Sequence, residues 1–155
     1  MKIDKIWLVF FLFCNGVFAK NLCEQQEKVI FAFESRNGKI LSLCKAQQGN
    51  YLVYRFGVVG AVEFQFPKKL DAGSWNAFEF SGQKRVGLNN AGFGDYSISF
   101  SNGAAEYSIF QEWDIDEKIY SIGVNIVTSA KKTTINGVKK TRRGRWCYWR
   151  RMAHE

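Results

Sequence analysis

The sequence predicts an all-β fold, an antiparallel β-barrel or sandwich of about eight or nine strands built from consecutive hairpins. Apolar residues recur at alternate positions in stretch after stretch, which is the period of a half-buried strand. No window carries the spacing of an amphipathic helix. Turn signals separate the alternating stretches, with 14 glycines against a single proline. Aromatic residues, which suit the pleated surface of a sheet, make up 16% of the chain.

Met1–Ala19 has the pattern of a secretory signal peptide. Lys2 and Lys5 form a charged start, Ile6–Phe13 is an apolar core, and Val17 and Ala19 are small residues placed for cleavage after Ala19. The apolar run is too short to span a bilayer. Cys14 lacks the small residues that precede a lipidated cysteine, so no anchor is expected. The expected destination is extracytoplasmic, secreted or periplasmic, and the short signal fits a bacterial periplasm. The remainder, Lys20–Glu155, has the length of one domain. It divides into a β-domain over 20–130 and a basic aromatic segment over 131–155 that packs on or extends it.

Cys23, Cys44 and Cys147 remain after cleavage. An oxidising compartment favours one disulfide, and three pairings are open. Cys23–Cys147 is the expected one, because it closes the longest loop and so gains most in the chain-entropy model, on the order of 4–5 kcal/mol. Cys44 is then a buried spare thiol or an intermolecular partner. Three scattered cysteines lack the paired spacing of a zinc site.

Parity assigns the strands. Val29, Phe31 and Phe33 share one face and are answered by Leu41 and Leu43, leaving the loop Arg36-Asn37-Gly38. In Tyr51–Pro67, Leu52, Tyr54 and Phe56 face Val62, Phe64 and Phe66. The expected register sets Tyr54 opposite Phe64 and Phe56 opposite Val62, around the loop Val58-Val59-Gly60. It also places Arg55 across from Glu63, a register-fixing pair worth roughly 0.2–1 kcal/mol if exposed. Pro67 ends the strand. Lys68–Gly73 is a connector, Trp75–Phe80 a strand, Ser81–Arg85 a turn, and Val86–Gly94 a Gly- and Asn-rich loop of the kind that carries function. Asn102-Gly103 suits a two-residue turn that pairs Phe100 with Ala105, Ile98 with Tyr107 and Tyr96 with Ile109. Gln111–Lys118 is an acidic loop. Lys118–Thr128 is a strand with Tyr120, Ile122, Val124 and Ile126 on its apolar face, and a last short hairpin turns at Asn136-Gly137.

Charge is unevenly distributed. Residues 20–130 carry 11 basic and 12 acidic side chains, whereas 131–155 carry 9 basic and 1 acidic. In that segment Arg142, Arg143, Arg145, Arg150 and Arg151 flank Trp146, Tyr148 and Trp149. Guanidinium beside indole suits anionic surfaces, since one pairs with phosphate while the other stacks or lies at an interface. The bland alternative is a solvated terminus whose Trp146 and Trp149 pack on the β-domain. Nucleic acid is a poor partner, for no RNA-binding signature is present.

No catalytic residue, cofactor site or metal site is assigned. The single histidine, His154, is next to the end of the chain, where a triad has no support. No phosphate loop or dinucleotide fingerprint occurs. Asp114, Asp116 and Glu117 match no complete calcium loop and suit a solvated turn. Glu63 and Glu79 lie on expected strands without any sign of glycosidase spacing.

The stretches NGKILSLC (Asn37–Cys44), YLVYRFG (Tyr51–Gly57), VEFQFP (Val62–Pro67) and SNGAAEYSIF (Ser101–Phe110) resemble a group of small secreted bacterial β-proteins. The likeness covers most of Val29–Val127 and implies a hairpin fold without an activity. Members tend to carry a cysteine near the place of Phe33, from which this chain departs. In size, signal and β-rich character the chain is also loosely similar to periplasmic lysozyme inhibitors and immunity proteins. The functional expectation is a non-enzymatic β-domain binding a macromolecule, with Asp114, Asp116 and Glu117 suited to a basic protein partner. The alternative is an envelope-associated protein held to anionic lipid or lipopolysaccharide by Arg142, Arg143, Arg145, Trp146, Trp149, Arg150 and Arg151. A hydrolase with an unrecognised carboxylate pair is the second alternative.

Overall fold

The computed structural model describes residues 20–86, 92–144 and 146. The first sheet holds β1 (Glu27–Glu34), β2 (Ile40–Ala46), β3 (Leu52–Val58), β4 (Ala61–Phe66) and β10 (Arg143–Gly144) in the order β10-β1-β2-β3-β4. The second holds β5 (Glu79–Val86), β6 (Gly92–Asn102), β7 (Ala105–Asp114), β8 (Ile119–Val127) and β9 (Lys132–Asn136) in chain order. All pairings between these strands are antiparallel. The two sheets pack face to face, so the fold is a sandwich and not a closed barrel. Gly137 joins one corner, bridging to Ser35 at the end of β1 while its N–H donates to the Ile122 carbonyl in β8.

Alternation builds the core. Phe31, Phe33, Leu41, Leu43, Leu52 and Tyr54 of the first sheet meet Ile98, Phe100, Ile109, Ile122 and Val124 of the second. The contact is densely aromatic. Phe100 stacks on Phe66 at 4.3 Å and on Tyr107 at 4.8 Å, with Tyr54 tilted against it at 5.1 Å. Such pairs contribute about 0.5–1.5 kcal/mol each beyond their area.

Next to its loop the first hairpin has the expected register, with Phe31 opposite Leu43, Phe33 opposite Leu41, and Gly38 at φ 79°. A bulge between Val29 and Phe31 shifts the pairing beyond, and Ile30 takes the core place expected for Val29. The central hairpin differs. Tyr54 lies opposite Phe66, Arg55 opposite Gln65 and Phe56 opposite Phe64, and a bulge at Gly57 resets the pairing to Gly57 with Val62. Glycine is needed there, because φ is 154° and a Cβ would lie 2.5 Å from the Ala61 carbonyl oxygen. The expected Arg55–Glu63 pair is therefore corrected: Glu63 bonds Lys39, and Arg55 turns to other partners. Parity counts residues but cannot see one inserted by a bulge.

Between β6 and β7 the register is two residues from the expected one, with Phe100 opposite Tyr107, Ile98 opposite Ile109 and Asn102 opposite Ala105. A slip of two preserves the faces, so the assigned core residues stay in the core. Trp75 belongs to a short 3-10 helix of two turns, Ala72–Ala77, and not to a strand. The Asp71 carboxylate accepts from the Gly73 N–H, and the Trp75 indole N–H donates to the Gly49 carbonyl. The next strand is β5, which occupies the expected turn. Its side chains are almost all exposed, so it shows no buried alternation. Of the expected acidic loop, Gln111–Asp114 is strand and only the following residues turn. No hairpin forms at Asn136-Gly137, since the chain there crosses to the first sheet.

The outer face of the first sheet is covered by the segment leading into β1. Leu22 is buried, and its N–H donates to the Ser42 hydroxyl. Cys23 is bonded to Cys44, with the Cα atoms 5.5 Å apart. This corrects the expected Cys23–Cys147 bridge. Loop entropy ranks pairings, but the fold decides which thiols meet, and this segment returns over β2. Cys147 lies outside the described residues.

Candidate functional site

The outward face of the second sheet carries more acid than base, with Arg85 on β5 and Lys132 on β9 as the cations of its described strands. Strand parity places Glu79 on β5, Asp95 on β6, and Glu106, Glu112 and Asp114 on β7, all on the side away from the core. Register groups them in rows: Glu79 beside Ser99, Ser101 beside Glu106, Asp95 beside Glu112. Asp116 and Glu117 extend the patch into the β7–β8 turn, where the Asp114 carboxylate accepts from the Glu117 N–H at 3.0 Å. Serine, asparagine and threonine fill the rows between, as in Ser99, Ser108, Asn125 and Thr134. The ion pairs among the described residues are Lys39–Glu63, Arg55–Glu24, Arg55–Glu27 and Lys69–Asp71, so none of these sheet carboxylates is neutralised by a contact pair. At one end of the face a cavity of about 270 Å³ is lined by Glu79, Glu106, Ser99 and Ser101, with Phe66 and Phe100 on its apolar side.

A second charged group is hidden under the Cys23–Cys44 staple. Arg55 and the Glu27 side chain are buried on the outer face of the first sheet. All five guanidinium donors are used. Nε donates to Gln65 at 2.8 Å, Nη1 to Glu27 and the Leu22 carbonyl, and Nη2 to Glu27 at 3.0 Å and Glu24 at 3.2 Å. Burial alone would push the Glu27 carboxyl up, but hydrogen bonds from Arg55, the Glu24 N–H and the Tyr51 hydroxyl together hold it below the usual carboxylate range. Tyr51 moves the other way, raised by desolvation and by the carboxylate it bonds. Cys23, Glu27 and Cys44 place their ligand-type atoms within 4.8 Å of one another, but the sulfurs are bonded to each other and offer no metal site. The cluster ties the covering segment to β1 and β3.

The described part of the basic segment is built into both sheets. Lys131 precedes β9 and Lys132 starts it, and Lys139 and Lys140 sit exposed in the single-turn helix Lys139–Thr141. Lys139 and Arg142 lie over the Tyr120 ring at 5.8 and 5.9 Å. Arg143 pairs with Ala32 through β10. Trp146, expected as a partner-binding residue, is instead 96% removed from solvent and packs against Phe31 at 4.7 Å and Phe80 at 6.3 Å. Arg145, Trp149, Arg150 and Arg151 lie outside the described residues, as does most of the expected Val86–Gly94 loop.

Of the expected acidic site, Asp114, Asp116 and Glu117 form one corner of a larger face. Glu79, Asp95, Glu106 and Glu112 were the residues that sequence reasoning missed. For Asp95, Glu106 and Glu112 the alternation of β6 and β7 carried that signal, because each stands one position from an inward-facing residue; Glu79 lies on β5, which gave none. Glu63 and Glu79 lie on different sheets. Comparison with protein families, curated proteins and solved structures finds nothing that matches this chain.

Proposed function

We propose that the chain is a non-enzymatic, inhibitor-like or immunity-like domain that binds a basic protein through the acidic face of its second sheet. The observation that carries this reading is the set of exposed sheet carboxylates without a contact cation. The excess of negative charge on this face repels itself, and a cationic partner relieves that repulsion while gaining in association rate. Small polar side chains such as Ser99, Ser108 and Asn125 stand among the carboxylates, with Phe93 and Phe110 between them, a mixture that suits a broad protein surface. The expected signal at Met1–Ala19 and the Cys23–Cys44 disulfide fit an oxidising, periplasmic setting.

The test is capture from envelope extract by the mature chain, compared with its Glu106→Lys/Glu112→Lys variant. Both positions are exposed, so the variant keeps its fold. A discrete protein retained by the native chain and lost by the variant is the expected result. Equal retention by both removes the acidic face from consideration. The exposed lysines Lys131, Lys132, Lys139 and Lys140 support a second reading, attachment to anionic lipid or lipopolysaccharide. That reading predicts capture of lipid, released by salt and insensitive to Glu106→Lys/Glu112→Lys.

A further inference from the structure

β5 is an edge strand with nothing paired on its far side among the described strands. It runs eight residues, Glu79–Val86, and its side chains are exposed except for half-buried Phe80. Long exposed edges invite another strand, and proteins usually blunt them by shortness, bulges or charge. Here Glu79 stands near one end and Lys84 and Arg85 near the other, with Glu79 and Arg85 on the same face.

We propose that β5 pairs antiparallel with β5 of a second copy, forming a twofold dimer whose second sheets join into one ten-stranded sheet. In such a pair, residues directly opposite share a face, so outward residues must meet outward residues. Glu79, Ser81, Gln83 and Arg85 are the outward set, as the pairing with β6 shows. Only registers that pair odd positions with odd positions qualify. Centring the axis on Ser81 sets Glu79 against Gln83 and leaves Arg85 unmatched. Centring it on Gln83 sets Ser81 against Arg85 and leaves Glu79 unmatched. Centring it on Gly82 sets Glu79 opposite the partner's Arg85 at both ends and Ser81 opposite the partner's Gln83 twice. On the inward face, Phe80 then comes opposite the partner's Lys84, and the two residues without side chains meet on the axis. One register therefore satisfies every outward polar position at once.

The other edges lack this property. β4 carries only Glu63, which is engaged by Lys39. β9 carries only Lys132, and β10 is two residues long. Among the described edges, β5 alone has opposite charges placed for self-pairing. The dimer goes beyond the reading of the acidic face: it engages Glu79 at the margin of that face and does not use Asp95, Glu106 or Glu112.

The test is sedimentation of the mature chain over a wide concentration range, with the variants Arg85→Glu, Glu79→Arg and Glu79→Arg/Arg85→Glu. The native chain should reach a dimer. Each single variant places like charges at both symmetric positions and should weaken association at least about tenfold. The double variant restores both pairs and should recover the native dimerisation constant. A native chain that stays monomeric throughout overturns the proposal. So does a dimer indifferent to the single changes, or a double variant no better than either single one. Thermal melts run alongside show that all four chains are folded, as their exposed positions lead one to expect.

Discussion

Replacing Arg55 with leucine probes the buried charge cluster directly. The native guanidinium is 2% exposed and the Glu27 side chain 0%. Removing Arg55 strips Glu27 of its two-pronged partner and leaves Gln65, Glu24 and the Leu22 carbonyl without their donor. Breaking one side of a buried pair costs about 3–5 kcal/mol, since a charge is left uncompensated. For a domain of this length that corresponds to a fall in Tm of roughly 10–20 °C. Urea melts at neutral pH, with the disulfide intact, give the measurement. Arg55→Leu/Glu27→Leu removes both charges and should cost clearly less than the sum of the single changes, with a coupling of at least about 1.5 kcal/mol. The pH dependence supplies an independent signature. In the native chain the Glu27 carboxyl is held below its ordinary value, so its contribution is present above that value and fades as pH falls through the lowered one. In Arg55→Leu the partner that lowers this carboxyl most is gone while its burial remains, so less of the carboxylate's contribution is left to lose in acid. The stability gap between the two should therefore narrow below about pH 4. A cost under about 1 kcal/mol, additive single changes, or a gap that widens in acid would each refute the account.

Reducing the Cys23–Cys44 bridge, or changing both residues to serine, should lower stability by about 3 kcal/mol in the chain-entropy model for a sequence separation of 21. Hydrogen exchange should show the loss concentrated in residues 20–27 and β2, whereas uniform loosening would contradict the placement. Trp146→Ala should cost about 3–5 kcal/mol, because it empties the space between Phe31 and Phe80. Trp146→Phe should cost far less, since the indole N–H has no hydrogen-bond partner to lose. Equal losses from the two changes would place the importance of Trp146 in its nitrogen and not in its volume.

The fold class was legible because alternation is local, and every strand with a buried face announced itself. Lys118–Thr128 was the clearest, with Ile122 and Val124 buried as its parity requires. β5 escaped because an edge strand exposed along its length has no buried face to alternate. The Gly57 bulge escaped because the reason for it lies across the hairpin, in the Ala61 carbonyl. The acidic face was visible only at its corner, Asp114–Glu117, where the charges cluster in sequence. Glu79, Asp95, Glu106 and Glu112 come together through strand pairing. Arg55 was the hardest to place, because its partner Glu27 is 28 residues away and the segment that buries both gave no strand signal.

The position of Trp146 sets an order of events on the chain as it is made. Cys23 and Cys44 are close in sequence, so the first hairpin and its staple can form while the second sheet is still being delivered. The rings of Phe31 and Phe80 must wait for a residue near the far end. Until Trp146 arrives, the joint between the sheets stays open to water and to other nascent chains, the interval in which exposed apolar surface aggregates. A chain stalled before that residue would hold all ten described strands and still be unsealed. Quality-control proteases and holding chaperones would meet it as an unfinished protein.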